Sequence, residues 1–509
     1  MPFPQPQLYT YRYSILYLLL ALLVIIDRSL LLHHFAFRFV DDDQSVMWYG
    51  AKEFATGNFH EPCFFGQAYN SMLESLFAVP LIKMGLDYNI ALPLVASFMS
   101  MFPFFLISFL AFRNGKQFAA LVIISIPLVL PNEFGMITSI PRGFVTGVFC
   151  ASIACVAFFN NRNSSFIIFG FLSILAFIIN PNSVVVLAPV GLYLLLENYK
   201  NKKFYFFVVL GAIPAGIIYF FVHQFYINHP ENIVHGTWGF TFSNKTIRLE
   251  SIIKFFNDIV PVFWGMGWMI FPMFFILCFY LFRQKEKKAA IALLSGVVLI
   301  VLSLGFSKVN DGYSTVYYSW SRMFIGIPLI FGIFIYKIRF SERANHFIVF
   351  LLLTSISFFI VKCKTLPDTI NKEVVEKKNH IVYVSSIDKL NWLCDTIMLV
   401  SKKYNVDLVV MGTLYEKHLI NYGCPCLRSD FPATIEPNLD RRTWRLKEED
   451  AKIRPTILFI GVYDSAFTGR ISKLNFIKIS NDPLMYVLPN NHLPTSQLLD
   501  SLKIPMRRH

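Results

Sequence analysis

Three consecutive aspartates, Asp41 to Asp43, follow an apolar run that is long enough to cross a membrane. The residues after them predict a helix over 43–55 that carries Trp48 and Tyr49. One aspartate is enough to cap such a helix, which stabilises it by roughly 1 kcal/mol. Three adjacent acids repel one another, and a carboxylate near low-dielectric surroundings has a raised pKa unless a cation or a donor compensates it. This environment is typical of a general base that acts on a membrane-bound substrate.

The composition is that of a polytopic membrane protein. Of the 509 residues, 55% are hydrophobic and only 15% are charged, which leaves too little polar surface to cover a soluble globule of this size. Much of the lysine and arginine behind the net charge of +14 lies in short loops between apolar runs. Membrane proteins place basic residues in such loops, so the charge does not indicate nucleic acid as a partner.

Apolar segments of spanning or near-spanning length predict about eleven membrane helices. Several are shorter than the roughly 20 residues that a perpendicular span needs, so a pair such as 165–180 and 184–196 is a candidate to meet inside the bilayer. Residues 71–85 instead predict a helix at the membrane interface, because they contain Glu74 and Pro80. The predicted spans are 14–33, 90–112, 117–131, 142–159, 165–180, 184–196, 204–223, 260–282, 289–306, 322–336 and 346–361.

Lysines and arginines are concentrated in alternate connections between these segments, as expected for cytoplasmic loops. The N-terminus is therefore expected in the cytoplasm, and residues 34–89 with the aspartates on the opposite side. Because the predicted number of spans is odd, everything after about residue 362 is also expected outside the cytoplasm. The basic connections contain Arg113 and Lys116, Arg162, Lys200 to Lys203, Arg283 to Lys288, and Lys337 to Arg343.

The tail of the chain predicts a small α/β domain outside the membrane. HIVYVSSI, DKLNWLCDTIMLVSKKY and VDLVVMG indicate a strand, an amphipathic helix and a strand, and RPTILFIGVYD, LNFIKIS and LMYVLP indicate further strands. The glycines lack the spacing of a phosphate-binding loop, so no nucleotide site is expected. Residues 440–454, rich in charged side chains, are interpreted as a solvated loop. The predicted domains are 1–370 in the membrane and 371–509 outside it.

Cysteines on the outer side permit one disulfide bond. Cys394, Cys424 and Cys426 lie in the tail, but the two cysteines of Cys424-Pro425-Cys426 are poor partners for each other. A bond from Cys394 to either of them is the alternative. A zinc site is disfavoured, because His418 alone is nearby and no second pair of ligands has the required spacing.

The order of features through the first outer loop resembles the C-type (GT-C) membrane glycosyltransferase superfamily. An acidic pair precedes a helix that ends in Ala55-Thr56-Gly57-Asn58-Phe59, and FFGQAYNSMLESLFAVPLIKMG and a long span with a basic end follow. Protein O-mannosyltransferases and lipid A aminoarabinose transferases are the members most similar in pattern. The resemblance covers roughly residues 10–361 and is strongest at 39–90. It implies a GT-C-like helical membrane domain in which the first outer loop, 34–89, is catalytic.

The resemblance implies transfer of a sugar from a polyprenyl-phosphate carrier to an extracytoplasmic glycan, lipid or protein, with inversion. The catalytic acid of the family falls on Asp43, with Asp42 in support, when the chains are aligned through Ala51-Lys52-Glu53. The family's glutamate then falls on Gln44, and Asp42-Asp43 is the alternative placement of the acidic pair. Phosphate is a good leaving group, so one carboxylate and cations suffice and no cofactor is expected. A divalent metal stays open, because an acidic cluster is a suitable ligand set for Mg²⁺.

Basic residues at the outer membrane face hold the carrier phosphate in this superfamily. Arg322, in SWSRMFIGIPLIF, resembles the arginine that opens a late span, and its planar fork suits a phosphate. The alternative role of Arg322 is that of a cationic anchor at the interface. Arg142 and Lys308 are further candidates for phosphate binding. His223 and His235 are open alternatives for acceptor binding, although a lone histidine near aromatic side chains is more often structural.

The sequence therefore predicts an integral membrane glycosyltransferase of the cell envelope, and its Lys-, Ile- and Phe-rich composition favours a bacterial inner membrane. Its expected partners are the lipid-linked sugar, the acceptor and membrane lipids. A transporter or flippase for lipid-linked sugars is the alternative, which matched hydropathy halves would favour. A glycan polymerase or ligase is a nearer alternative, although its large loop is expected between late spans. A scaffold that only binds glycan needs far fewer spans.

Overall fold

The computed structural model describes residues 6–235, 242–243, 247–260, 263–306, 309, 315–341, 346–376, 383–461, 463, 474–489, 491–504 and 506–507. The chain divides into two compact units. The first, called the helical unit, comprises residues 1–36, 93–221 and 238–377. The second, called the mixed unit, comprises residues 37–92, 222–237 and 378–509.

A helix overlaps each apolar segment that the sequence predicts, although the helix in 260–282 begins only at Ile270 and segment 142–159 contains two helices. Four helices, Tyr11–Ala36, Tyr88–Arg113, Lys202–Asn228 and Ile348–Glu376, are long and apolar enough to cross a membrane, so the chain is an integral membrane protein of helical type. The others are shorter, and the exact number of spans stays a prediction. The further helices are Gln117–Val129, Asn132–Ser139, Phe144–Ala154, Val156–Phe159, Asn163–Ile179, Val184–Asn198, Leu249–Asp258, Ile270–Arg283, Lys287–Ser303 and Ile327–Ile335.

Two of these helices form one sharply bent pair. Gln117–Val129 and Asn132–Ser139 meet at 87° across a short break. Pro131 lies at the start of the second helix, and Leu130 before it is extended, with ψ of 150°. A proline disfavours helical backbone in the preceding residue, which explains why the chain turns here.

Two adjacent charged residues of the first long helix, Asp27 and Arg28, have polar partners inside the helical unit. Asp27 Oδ2 lies 2.5 Å from Lys362 Nζ, which belongs to the last long helix. Arg28, the next residue, donates instead to the carbonyl of Gly135 at 2.9 Å and to Thr138 Oγ1 at 3.0 Å. Adjacent positions on a helix face different directions, so each charge reaches a different neighbour. These contacts join the first long helix to the last long helix and to the short helix Asn132–Ser139. They also give polar partners to charges that are costly in a bilayer.

The mixed unit begins with a short strand and a helix that carry the aspartates. Strand β1 (Phe39–Asp41) pairs antiparallel with β2 (Val384–Ser386). The helix Asp42–Thr56 follows and ends at Gly57, whose φ of 87° permits the left-handed turn at its C-terminus. This helix confirms the prediction over 43–55. The helix Leu73–Lys83 then occupies part of the predicted segment 71–85.

A five-stranded sheet in the order β4-β3-β5-β7-β6 forms the core of the mixed unit. Strand β3 is parallel to β4 and β5, whereas β7 is antiparallel to both of its neighbours. Buried side chains such as Val410, Phe459 and Leu498 fill one cluster on this sheet. The strands are β3 (Leu408–Met411), β4 (Ala433–Ile435), β5 (Ile457–Ile460), β6 (Ile477–Asn481) and β7 (Leu484–Leu488), with helices Ile387–Tyr404, Cys424–Leu427, Thr443–Asp450 and Thr495–Ser501.

The local elements predicted for the tail are largely confirmed, with two omissions. The predicted strands contain β2, β3, β5, β6 and β7, and the predicted amphipathic helix is Ile387–Tyr404. The sequence did not indicate β1 or β4, because each has only three residues and shows no clear alternation. A disulfide bond joins Cys394 to Cys424, and the Cys426 thiol is free. The division into domains 1–370 and 371–509 stays a prediction.

Candidate active site

Asp41 caps the helix that follows it. Its Oδ1 accepts a hydrogen bond from the Gln44 backbone N at 2.7 Å, and the Asp41 N donates to Gln44 Oε1 at 3.2 Å. These reciprocal bonds form a capping box, and both residues are buried. The capping role predicted for one aspartate therefore belongs to Asp41. Gln44, which stands where the resemblance places a glutamate, completes the cap.

Asp43 forms an ion pair with an arginine from the tail of the chain. Its Oδ1 lies 2.9 Å from Arg441 Nη1, and the side chains of Arg441 and Asp43 are 8% and 24% exposed. Burial alone would lower the pKa of Arg441, but Asp43 beside it raises that pKa above its ordinary value. The guanidinium also lies over the ring of Phe64, 5.2 Å from its centroid. The carboxylate of Asp43 therefore faces a permanent positive charge at a partly open position.

The backbone of Arg441 is fixed by a buried polar network. Its N donates to the Tyr422 hydroxyl at 2.9 Å. The next residue, Arg442, donates from Nε and Nη2 to the two carboxylate oxygens of Asp440 at 3.0 and 2.9 Å, and from Nη2 to Asn421 Oδ1 at 2.7 Å. Burial opposes the charge on Asp440, but Arg442 holds the pKa of that carboxyl below its ordinary value. Bidentate contacts of this kind restrict rotation, so the network sets the position of Arg441.

Gly66, in the segment FFGQAYN, lies directly against Arg441. Its φ is 76°, and a Cβ there would lie 3.1 Å from the Arg441 Cβ. The buried Glu61 holds this turn, because its Oε1 accepts from the Gly66 N at 3.1 Å and its Oε2 accepts from the Tyr226 hydroxyl at 3.0 Å. The His235 N donates to the Gly66 carbonyl at 3.0 Å. A side chain at position 66 would therefore strain the backbone and crowd Arg441.

Asp42 faces a histidine that lies between two carboxylates. His418 Nδ1 is 3.7 Å from Asp42 Oδ2, and His418 Nε2 is 3.0 Å from Glu436 Oε2. Lys417 Nζ lies 2.6 Å from the other oxygen of Glu436. Burial alone would lower the pKa of His418, but the two carboxylates raise it to about 9. The imidazole is therefore charged at neutral pH and holds Asp42 by electrostatic attraction.

His235 belongs to the same surroundings. Burial, and next the neighbouring Arg441, lower its pKa to about 4. This histidine is therefore neutral where His418 is charged, so its ring keeps one nitrogen that can accept a proton or a hydrogen bond. A role of His235 in acceptor binding stays a hypothesis.

Two of the three predicted phosphate-binding residues meet at one aromatic ring in the helical unit. The guanidinium carbons of Arg142 and Arg322 lie 5.2 and 5.0 Å from the ring centroid of Phe144. Arg142 also donates to the carbonyl of Tyr317. Asn182 Nδ2 donates to the carbonyls of Phe144 and Arg322 at 2.8 and 3.3 Å, which fixes both stretches of backbone. The third candidate, Lys308, lies outside the described residues.

Comparison with solved structures identifies the architecture. The chain is similar to ArnT from Cupriavidus metallidurans in the apo state, with a TM-score of 0.57 and 12% sequence identity over 94% of this chain and 98% of ArnT. The architecture of ArnT is of the GT-C type. The chain therefore has a GT-C-like fold. No protein-family model matches the chain, and no curated protein matches it by sequence.

The GT-C-like fold confirms the resemblance noted at residues 39–90, but the site contains residues that the sequence did not single out as functional. The interpretation of 440–454 as a solvated loop was wrong, because Arg441 and Arg442 are buried and Thr443–Asp450 is a helix whose Glu449 is also buried. Opposing carboxylates compensate the cost of burying these charges. For His418, the sequence indicates no role beyond that of a disfavoured zinc ligand. The run Asp440-Arg441-Arg442 was the signal in the sequence that could have indicated these buried residues. Adjacent opposite charges are compatible with a buried ion-pair network as well as with a solvated surface.

The charge of His418 gives a testable pH dependence. A histidine whose pKa is raised to about 9 in the folded protein contributes stability that is fully present below its unfolded value of about 6.5 and is lost as the pH rises through 9. We expect wild-type protein to lose on the order of 2 kcal/mol of unfolding free energy from this group between those values. The His418→Gln variant should not show this decrease in unfolding free energy as the pH rises.

Thermal unfolding of the purified protein from about pH 6 to about pH 10 measures this effect. His492→Gln is the matched control, because His492 is exposed. Parallel pH profiles for wild type and His418→Gln would show that His418 does not hold Asp42 through its charge.

Proposed function

We propose that the protein is a membrane glycosyltransferase that moves a sugar from a polyprenyl-phosphate carrier to an extracytoplasmic acceptor. The observation that carries this proposal is the ion pair of Asp43 with Arg441, on the first-loop helix of a GT-C-like fold. A carboxylate in this place is paired with a buried arginine that orients it, and it is still 24% exposed. A fixed orientation and access to substrate are required of a group that accepts a proton from an incoming nucleophile.

In the proposed reaction, a hydroxyl or amine of the acceptor attacks the anomeric carbon of the sugar. The bond between that carbon and the phosphate oxygen breaks, and polyprenyl phosphate leaves with the electron pair. Asp43 takes the proton of the nucleophile, and the configuration at the anomeric carbon inverts. No acid is needed on the leaving side, because a phosphate monoester is stable as an anion. Independence from metal ions stays a prediction.

The other site residues support this step in the proposal. Arg441 orients Asp43, while His418 orients Asp42, whose charge reinforces the acidic site. Arg142 and Arg322 bind the phosphate of the carrier, since guanidinium groups match phosphate oxygens bidentately. Lys308 is a third candidate for this role. His235 contacts the acceptor.

The proposed location is a bacterial inner membrane, with the N-terminus in the cytoplasm and the tail outside. The alternation of basic loops along the sequence supports this orientation. The proposed acceptor is an envelope glycan, lipid or protein on the outer side, where the mixed unit with its aspartates would then lie.

A lipid-linked-sugar flippase is the competing function, and proteoliposomes distinguish the two. Lipid-linked sugars extracted from cells that lack the gene are supplied with an extract of the acceptor fraction. A transferase releases free polyprenyl phosphate only when protein and acceptor are both present. A flippase moves the lipid-linked sugar between leaflets and leaves its phosphate bond intact, and that result would overturn the proposal.

Substitution of Arg322 tests the proposed phosphate contact. We expect Arg322→Ala to raise the apparent KM for the lipid donor by about tenfold or more, because hydrogen bonds to charged groups contribute roughly 1.5–3 kcal/mol. Arg322→Lys should recover only part of the loss, since lysine lacks the planar fork. Arg162→Ala, which removes an exposed arginine, is the control. An unchanged KM in Arg322→Ala would identify Arg322 as an interface anchor.

A further inference from the structure

A groove in the helical unit has no part in the proposed reaction. It has a volume of about 900 Å³ and lies along the helices Ile270–Arg283 and Ile327–Ile335. Most of its lining is apolar, as at Met273, Ile276 and Phe331. Ile276 is 55% exposed. An apolar surface of this size requires a cover, and in a membrane protein lipid chains provide it.

The polar groups of the groove are gathered in the residues that end these helices. Arg283 and Gln284 end the first helix, and Arg339 follows the second. The side chain of Gln284 donates to the Arg339 carbonyl at 3.1 Å and accepts from the Arg339 N at 2.6 Å. This double contact fixes the backbone of Arg339 beside the end of the first helix. The rim of the groove is therefore a built feature.

The rim carries positive charge that the described residues around it neutralise only in part. Among the described residues, the exposed Arg283 has no hydrogen-bond or carboxylate partner. Arg339 Nη2 lies 3.3 Å from Glu286 Oε1, but its side chain is 76% exposed. Exposed pairs of this kind contribute little, so the guanidinium remains available to a stronger anion. An apolar groove with a cationic rim matches an amphiphile with an anionic head.

We propose that this groove binds an anionic glycerophospholipid, with its acyl chains along the apolar wall and its phosphate on Arg283 and Arg339. The rim lies in the basic connections that the sequence predicts to be cytoplasmic, and anionic phospholipids of that leaflet attract such clusters. The sugar carrier is proposed to act on the other side of the membrane. The site is therefore distinct from the one that contains Asp43.

Lipid retention measured by native mass spectrometry tests this site. Purified protein in a mild detergent is titrated with phosphatidylglycerol and with phosphatidylcholine of the same chains. We expect phosphatidylglycerol to bind more tightly, and the double variant Arg283→Ala with Arg339→Ala to lose roughly 30-fold in its affinity, from the combined loss of two charges near the lipid surface.

Arg113→Ala is the matched control, because it removes an exposed arginine from the end of another helix, outside the groove. Both variants should unfold at the wild-type temperature in detergent without added lipid, since the substituted side chains are exposed. Equal binding of the two lipids, an equal loss in Arg113→Ala, or retention of polyprenyl phosphate in place of phospholipid would each overturn the proposal.

Discussion

Asparagine in place of Asp43 is expected to lower sugar transfer by about 10²–10⁴-fold, because the substitution removes the proposed general base. The variant should still fold and bind the lipid donor. An asparagine oxygen can accept a hydrogen bond from Arg441, and the position is partly exposed, so we expect a loss of only about 1–2 kcal/mol in unfolding free energy. Release of polyprenyl phosphate in proteoliposomes measures turnover, and thermal unfolding measures stability.

Asp41→Asn is the matched control for this experiment. It changes an aspartate of the same run, but asparagine caps helices about as well as aspartate does, so turnover and stability should stay close to wild type. Asp42→Asn should give an intermediate loss, since Asp42 supports the site through His418. Near wild-type turnover in both Asp43→Asn and Asp42→Asn would remove the proposed base from this helix.

Alanine at Arg441 should have the second large effect. The Arg441 guanidinium lies 2.9 Å from Asp43 Oδ1 and is almost completely buried. Its removal therefore leaves a cavity beside Asp43 and frees the Asp43 carboxylate to rotate. We expect kcat to fall by about 10²-fold, because misplacement of a catalytic group by about 1 Å has that effect. The KM for the lipid donor should change little, since Arg441 is not proposed to bind the carrier.

Arg441→Lys separates this positioning role from a structural one. Lysine keeps the charge and part of the volume but loses the planar contact, so it should recover stability more fully than kcat. Arg445→Ala is the control, because Arg445 lies in the same segment and pairs with Glu448 and Glu449 instead of Asp43. An increase in KM with unchanged kcat in Arg441→Ala would assign this arginine to substrate binding.

The sequence predicted the local elements well because each depends on nearby residues. The apolar runs indicated helices, the aspartates indicated the start of the helix Asp42–Thr56, and alternation indicated most strands of the tail. The resemblance through residues 39–90 was sufficient to predict the GT-C-like fold. These signals need no knowledge of contacts between distant parts of the chain.

The partners of the aspartates could not be predicted in the same way. Asp43 and Arg441 are 398 residues apart in the sequence, and β1 pairs with β2 across a separation of similar size. A buried arginine and a solvated arginine look alike in a single sequence, because only the opposing carboxylate determines which one results. Arg142 and Arg322, in contrast, are candidates because of their positions at segment ends. They meet at Phe144, and their phosphate-binding role stays a prediction.

Mass spectrometry of polyprenyl-linked sugars and envelope glycans tests the central claim most directly. Cells that lack the gene are complemented with the wild type, with Asp43→Asn or with Asp41→Asn at matched expression. We predict that Asp43→Asn, like the deletion, accumulates one lipid-linked sugar and lacks one glycan modification, whereas wild type and Asp41→Asn restore both. Full restoration by Asp43→Asn would contradict the assignment of this aspartate as the catalytic base of a lipid-linked-sugar transferase.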